Sequence, residues 1–346
     1  MSLKGLRDRI TRLVPSGTVA EKAVKSGVWA SAITASDRAL QLVKIIVIAG
    51  LLGPSALGLM GIALLTLAML EVFSNLGMDI ALIQRHEENV NEYLDTAWIL
   101  QIIRGGMLAS MAWIAAPQFA TFFGEPQSTD LIRVIGLSPL LLGIQNPAVM
   151  YFKKNLEFHR QFGYQFSGSF VDMIVALVLA VTTGSVWALV FGKILGDATR
   201  MVLSYVIHDY RPSLQFDLAK GQELFSYGKW IMGAGVTSFL LGQGDDVFVG
   251  WFLGATSLGF YQLAYRLANA PATEITKVIS STMLPTYSKL QDNPSEVREA
   301  YFRVLQFTSI ITFPMSVGIF VTAPSFVEAF IGEEWLPMVP VMQVLT

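Results

Sequence analysis

Thr34, Asp37, Gln41 and Lys44 recur at i, i+3, i+7 and i+10 in a stretch that is otherwise mostly apolar. At 3.6 residues per turn they share one helix face, so a carboxylate, an amide and an ammonium form a single polar stripe. Such a stripe can bind a charged solute or pair with charges on a neighbouring helix. Arg38 stands beside it. Arg266, Glu274 and Lys277 fall within about 80° of one face of a later segment, which Pro271 interrupts. Lys193, Asp197 and Arg200 follow i, i+4, i+7 and read as a self-neutralising set. Arg104, Glu71 and Asp172 stand singly, and Asp245-Asp246 is an adjacent acidic pair.

These residues lie in segments suited to crossing a membrane. Of the 346 residues, 53% are apolar and only 14% charged, where soluble domains carry about 25% charge. A bilayer core about 30 Å thick needs roughly 20 apolar residues per helix. Nine such stretches can be marked: 27–52, 57–83, 96–116, 131–151, 164–181, 185–207, 230–253, 258–283 and 304–323, with a tenth beginning near Pro337. In lipid the backbone must satisfy its own hydrogen bonds, so the expectation is an all-α polytopic membrane protein. Ionisable residues inside spans are costly and are functional candidates by default. Pro139, Pro147 and Pro314 are candidate kinks, and the seven Trp lie near span ends, as an interfacial belt does.

The net charge of −2 argues against a nucleic-acid partner. With no Cys, thiolate catalysis, disulfides and Cys–zinc sites are excluded. His86, His159 and His208 are too scattered to form a metal cluster, so no metal and no cofactor beyond a coupling proton or sodium ion is expected.

Lys and Arg orient the chain. With the N-terminus inside, the inner segments 1–26, 84–95, 152–163, 208–229 and 284–303 hold 16 basic residues and the outer connectors none. The rule that basic loops stay cytoplasmic then puts the N-terminus in the cytoplasm.

Sliding the sequence on itself by 201 residues reveals a repeat. Gly27, Trp29, Leu40, Leu52, Gly53, Leu57, Gly58 and Ala63 fall on Gly228, Trp230, Leu241, Leu253, Gly254, Leu258, Gly259 and Ala264. Six spans separate the copies, so both run the same way, a plan of transporters whose solute path lies between two lobes. The expected organisation is a basic tail (1–26), an N-terminal six-helix lobe (27–207), an inter-lobe linker (208–229) and a C-terminal lobe (230–346). That second lobe is three spans short of six, so the sequence looks truncated at Thr346. By the repeat Lys44 corresponds to Asp245, and Lys44 is expected to pair with Asp245 or Asp246 in at least one state. A salt bridge within one lobe is the alternative.

The run 73–85 (Phe-Ser-Asn-Leu-Gly-Met-Asp-Ile-Ala-Leu-Ile-Gln-Arg) resembles the end of the second helix in polysaccharide flippases of the multidrug/oligosaccharidyl-lipid/polysaccharide exporter superfamily. Leu156-Glu157-Phe158, the run 258–265, the run 284–292 and Gly332-Glu333-Glu334-Trp335 resemble the same family, and its colanic-acid-exporter branch most. The resemblance implies two six-helix lobes around a central cavity. It also implies flipping of polyprenyl-linked sugar repeat units across the cytoplasmic membrane, alongside membrane lipid and polysaccharide assembly proteins. For the anionic head group of such a substrate the candidates are Arg38, Lys44, Arg104 and Arg266, since Arg suits bidentate phosphate contact. Asp37, Asp245, Asp246, Glu274 and Lys277 are candidates for ion coupling or for pairing across the cavity. An ion-coupled multidrug antiporter of the same superfamily is the rival reading. A polysaccharide polymerase or ligase is the remaining one, against which the longest outer connector, 117–130, carries only Glu125 and Asp130 as titratable groups.

Overall fold

In the computed structural model, the described residues are 18–74, 87–155, 157–290 and 293–346, and every regular element among them is helical. Helix α1 spans Thr18–Val72 and α2 Glu87–Phe122. Two short helices follow, α3 (Ser128–Ile135) and α4 (Ser138–Ile144), then a 3₁₀ turn at Pro147–Val149 and α5 (Met150–Lys154). Next come α6 (Phe158–Thr183), α7 (Trp187–Ile207), α8 (Leu218–Leu290) and α9 (Pro294–Phe330). A 3₁₀ segment at Glu333–Met338 leads into α10 (Val339–Leu345).

The two longest helices each contain two spans. Gly53 in α1 has φ 72° and ψ 175°, and Gly254 in α8 has φ 82° and ψ 178°. Side-chain-bearing residues avoid that region, so glycine sets both breaks. The chain reverses at each. Ile45 and Leu64 line the same small cavities, although 19 residues of straight helix would part them by about 28 Å. Likewise the Tyr261 hydroxyl donates to Asp245 Oδ2 at 2.6 Å across the Gly254 break. The repeat read from the sequence therefore reappears as two matching hairpins, 27–72 and 230–283.

These hairpins meet at their tips. A Cβ on Gly58 would lie 1.7 Å from the Ala255 carbonyl oxygen, and one on Gly259 would lie 2.2 Å from that of Pro54. Residues 54 and 255 are themselves equivalent by the shift of 201, so the contact is reciprocal. Around it Leu57, Met60, Ala63, Ala255, Leu258 and Ala264 join the main buried core. Glu125 accepts from the Ala255 N–H at 3.3 Å, and Phe122 stacks on Trp251.

Two expectations change. The fourth span, 131–151, is not one helix but α3, α4, the 3₁₀ turn and α5. Pro139 opens α4, and the Asn146 side chain caps the next turn by accepting from the Ala148 N–H at 3.0 Å. Trp335 is not part of an interfacial belt. It is 1% exposed, sits edge-on to Phe260 and donates its indole N–H to the Ala49 carbonyl at 3.0 Å.

Five stretches among the described residues are long and apolar enough to cross a membrane: Ala32–Val72, Tyr93–Phe122, Phe158–Thr183, Gly233–Asn269 and Pro294–Phe330. The first and fourth contain the reversals. Helix α7 is also of crossing length, and Lys193, Asp197 and Arg200 lower its apolar character. Large apolar side chains stand outward along these helices, including Ile114, Val181, Val206, Phe252, Phe313 and Val321. Asp197 of α7, by contrast, is 1% exposed. An apolar exterior over a charged interior is the surface of a multi-pass membrane protein.

Candidate functional site

The stripe on α1 faces α6 and α7. Lys44 Nζ meets Asp172 Oδ2 of α6 at 2.6 Å, with about a fifth of each side chain exposed (18% and 21%). Asp172 Oδ1 is buried and finds no hydrogen-bond partner among the described residues. Two turns back along α1, Asp37 Oδ1 accepts from Ser169 Oγ at 2.6 Å and Oδ2 from the Gln41 amide at 2.8 Å. Arg200 continues the chain of contacts, donating to Ser169 Oγ at 2.8 Å and to Asp197 Oδ1 at 2.8 Å. Asp197 Oδ2 accepts from Lys193 at 3.0 Å and from the Ser138 hydroxyl. Lys193, Asp197 and Arg200 thus pair with one another, as their spacing predicts, with one positive charge left over.

This network lines three adjoining cavities. The largest, 680 Å³, lies between α1, α6 and the broken fourth span, and Arg200 reaches it from α7. The second, 540 Å³, lies between α1 and α8, where Arg38, Gln41 and Ile45 face Tyr265, Arg266 and Asn269. The third, 270 Å³, joins Lys44, Asp172, Lys193, Asp197 and Arg200 to Arg266. Gln41 borders all three, and Arg266 is shared by the second and third. Across them five cations (Arg38, Lys44, Lys193, Arg200 and Arg266) outnumber three carboxylates (Asp37, Asp172 and Asp197). Asp246 beside Arg266 brings the carboxylates to four, so the cations still lead by one, which suits an anionic group that Arg can bind.

Arg38 and Arg266 border the second cavity, and Lys44 and Arg266 the third. Lys44 does not meet Asp245 or Asp246 in this conformation. Asp172, on the helix packed directly beside α1, takes its ammonium. Asp245 accepts from Tyr261, and Asp246 is hydrogen-bonded by Gln262 with Arg266 nearby. Arg104 is not among the residues bordering these cavities; its Nε donates to Ser74 Oγ at 3.1 Å. The side chains of Glu274 and Lys277, the basic tail up to Arg12, and the part of the 73–85 run beyond Ser74 lie outside the described residues.

Sequence reasoning missed the partner of Lys44 and the polar face opposite the α1 stripe. Gln161, Gln165, Ser169 and Asp172 stand at i, i+4, i+8 and i+11 on α6, the same periodic signal that singled out α1.

Beyond the end of α7, a strap of residues 208–217 is held down by Asp95 of α2. Asp95 accepts from the Tyr210 hydroxyl at 2.6 Å and from the Ser213 N–H and hydroxyl at 2.7 and 2.6 Å. The Asp217 N–H donates to Thr96 at 3.2 Å, and Asn146 donates to the Tyr210 carbonyl at 2.7 Å. His208 stacks on Tyr151. Burial keeps its pKa below the ordinary histidine value, against the pull of Asp209. Burial and the Asp95 carboxylate push the Tyr210 phenol well above its own.

Similar proteins agree with this architecture. The chain is 26% identical over 333 residues to the lipopolysaccharide biosynthesis protein WzxC of Escherichia coli (strain K12), covering 94% of this chain and 66% of that one. It is 24% identical to the succinoglycan biosynthesis transport protein ExoT of Rhizobium meliloti (strain 1021), covering 95% and 66%. To the teichuronic acid biosynthesis protein TuaB of Bacillus subtilis (strain 168) it is 24% identical, covering 80% and 57%. The chain thus spans between 57% and 66% of the length of these relatives. Its fold matches the inward-facing conformation of a multidrug resistance MATE family transporter of the MOP superfamily, with a TM-score of 0.68 at 16% identity over 89% of this chain and 76% of that one. The family described as "Polysaccharide biosynthesis protein" matches residues 47–340, and with hairpins, polar cavities and relatives in accord, the chain belongs to that family.

Proposed function

We propose that the protein flips lipid-linked oligosaccharide repeat units across the cytoplasmic membrane by alternating access, as a transporter and not an enzyme. The observation that carries this reading is the cation-rich set of cavities between and beside the lobes, in a chain whose family works in polysaccharide biosynthesis. Arg38 and Arg266 take the pyrophosphate between them, with Lys44 further toward the outer end, while the polyprenyl tail stays in lipid at the gap between α1 and α8. Asp37, Asp245, Asp246, Glu274 and Lys277 are the groups through which a proton or sodium ion couples. Arg104 serves the head group in a second conformation.

The lobes are 27–207 and 230–346, with 208–229 linking them and the basic tail 1–26 on the cytoplasmic surface. With the basic loops inside, the Gly58–Ala255 contact seals the outer end, and this conformation loads substrate from the cytoplasm. Lipid-linked sugar is the substrate partner, and polysaccharide assembly proteins receive the product.

Deleting the full-length gene tests the reading. Complete repeat units should accumulate on carrier lipid at the cytoplasmic face while surface polymer falls. Unchanged lipid-linked pools together with new sensitivity to cationic dyes would overturn it in favour of drug export.

A further inference from the structure

The 680 Å³ cavity inside the first lobe differs in chemistry from the cleft beside it. Five glutamines border it: Gln41, Gln101, Gln145, Gln161 and Gln165. They come from α1, α2, the end of α4, and twice from α6. Its charged groups are largely satisfied from within the lobe, since Asp37 and Arg200 meet through the Ser169 hydroxyl. An amide both donates and accepts, and so does each hydroxyl of a sugar ring; a wall of amides therefore matches a hydroxyl-rich neutral solute better than an ion.

Gln161 shows that the match is incomplete without a ligand. It is 7% exposed, it borders the cavity, and its Oε1 finds no hydrogen-bond partner among the described residues. A buried acceptor left unmade is costly, so such a group in a cavity points to a donor that arrives from outside. The volume falls within the range of about 300–1,000 Å³ that holds ligands of drug size, a disaccharide among them.

Position links this chamber to the cleft. Arg38 and Gln41 border both. A ligand with its anionic group at Arg38 can therefore extend a neutral body toward Gln161 without leaving polar surroundings. We infer that the chamber is a saccharide subsite, which binds the first, uncharged sugars of the repeat unit through the amides of Gln161 and Gln165. The inference rests on the flippase reading and adds where the sugar is held apart from the phosphates.

The test uses purified full-length protein and two lipids from the deletion strain: the lipid-linked saccharide that accumulates there, and the same lipid trimmed of its sugars to polyprenyl pyrophosphate. Gln161→Leu should weaken binding of the sugar-bearing lipid about five- to tenfold, the worth of one hydrogen bond, and leave the bare pyrophosphate lipid unchanged. Arg38→Gln should weaken both. Gln165→Leu, one turn along α6, is the second variant in case the first does not fold. If neither folded variant separates the two lipids, the subsite is wrong while the flippase reading stands. If nothing accumulates on deletion, or the unaltered protein binds neither lipid, the flippase reading fails and the subsite with it.

Discussion

Asp172 spends one oxygen on Lys44 and leaves the other buried without a partner. Removing either member therefore strands a charge in a low-dielectric interior. Asp172→Asn should destabilise the solubilised protein by roughly 3 kcal/mol, the low end for a broken buried pair, because a fifth of each side chain still sees solvent. The double variant Lys44→Met/Asp172→Leu should recover most of that loss in a thermal melt yet remain defective in export, which separates fold from function. His208 carries a pH dependence of its own. Its pKa is depressed in the folded strap, so the unfolded strap binds the extra proton first, and its contribution to stability is present above the unfolded pKa of about 6.5 and lost as pH falls below it. Protection factors at residues 208–217, referenced to the intrinsic exchange rate at each pH, should fall between pH 7 and 5, and His208→Gln should flatten that response. Partner choice at this scale was only partly legible in the sequence. The triad Lys193, Asp197 and Arg200 could be read because its members are local in one helix. Lys44 and Asp172 are 128 residues apart, and only the packing of α6 on α1 selects Asp172 over Asp245.

The hairpins are the elements most openly written in the sequence. Gly53 and Gly254 are forced by backbone conformation, and the Gly-x-x-x-Leu-Gly run after each reversal places Gly58 and Gly259 where only hydrogen fits. Gly58→Ala and Gly259→Ala should each part the hairpin tips, since the added methyl would lie 1.7 or 2.2 Å from a backbone oxygen that cannot swing aside. With no native Cys, Ser257→Cys supplies a unique label, and its reaction with a membrane-impermeant maleimide should speed up severalfold in either background. An unchanged rate would mean that the tips already part freely. The fourth span was less legible. Apolar count and length mark 131–151 as one crossing, but neither registers that Gly136, Pro139 and the capping side chain of Asn146 divide it. Those breaks have a use: they turn Ser138 toward Asp197 and bring Gln145 to the chamber wall.

For the molecule as a whole, the charged interior and apolar exterior were implied by composition, whereas the division of that interior into a cationic cleft and an amide chamber depends on which helix faces which. The reciprocal contact at the hairpin tips has one more consequence. Position 58 touches the partner of 54, and the partner of 58 touches 54, which is the rule for two identical surfaces meeting across a two-fold axis. Such a patch has the self-complementary geometry of a dimer interface, built inside one chain. Its two halves should still find each other when severed. Cut after Asp217, so that the strap stays on Asp95, and co-expressed in one membrane, the two pieces should co-purify, and Gly58→Leu should abolish their association while each piece still inserts.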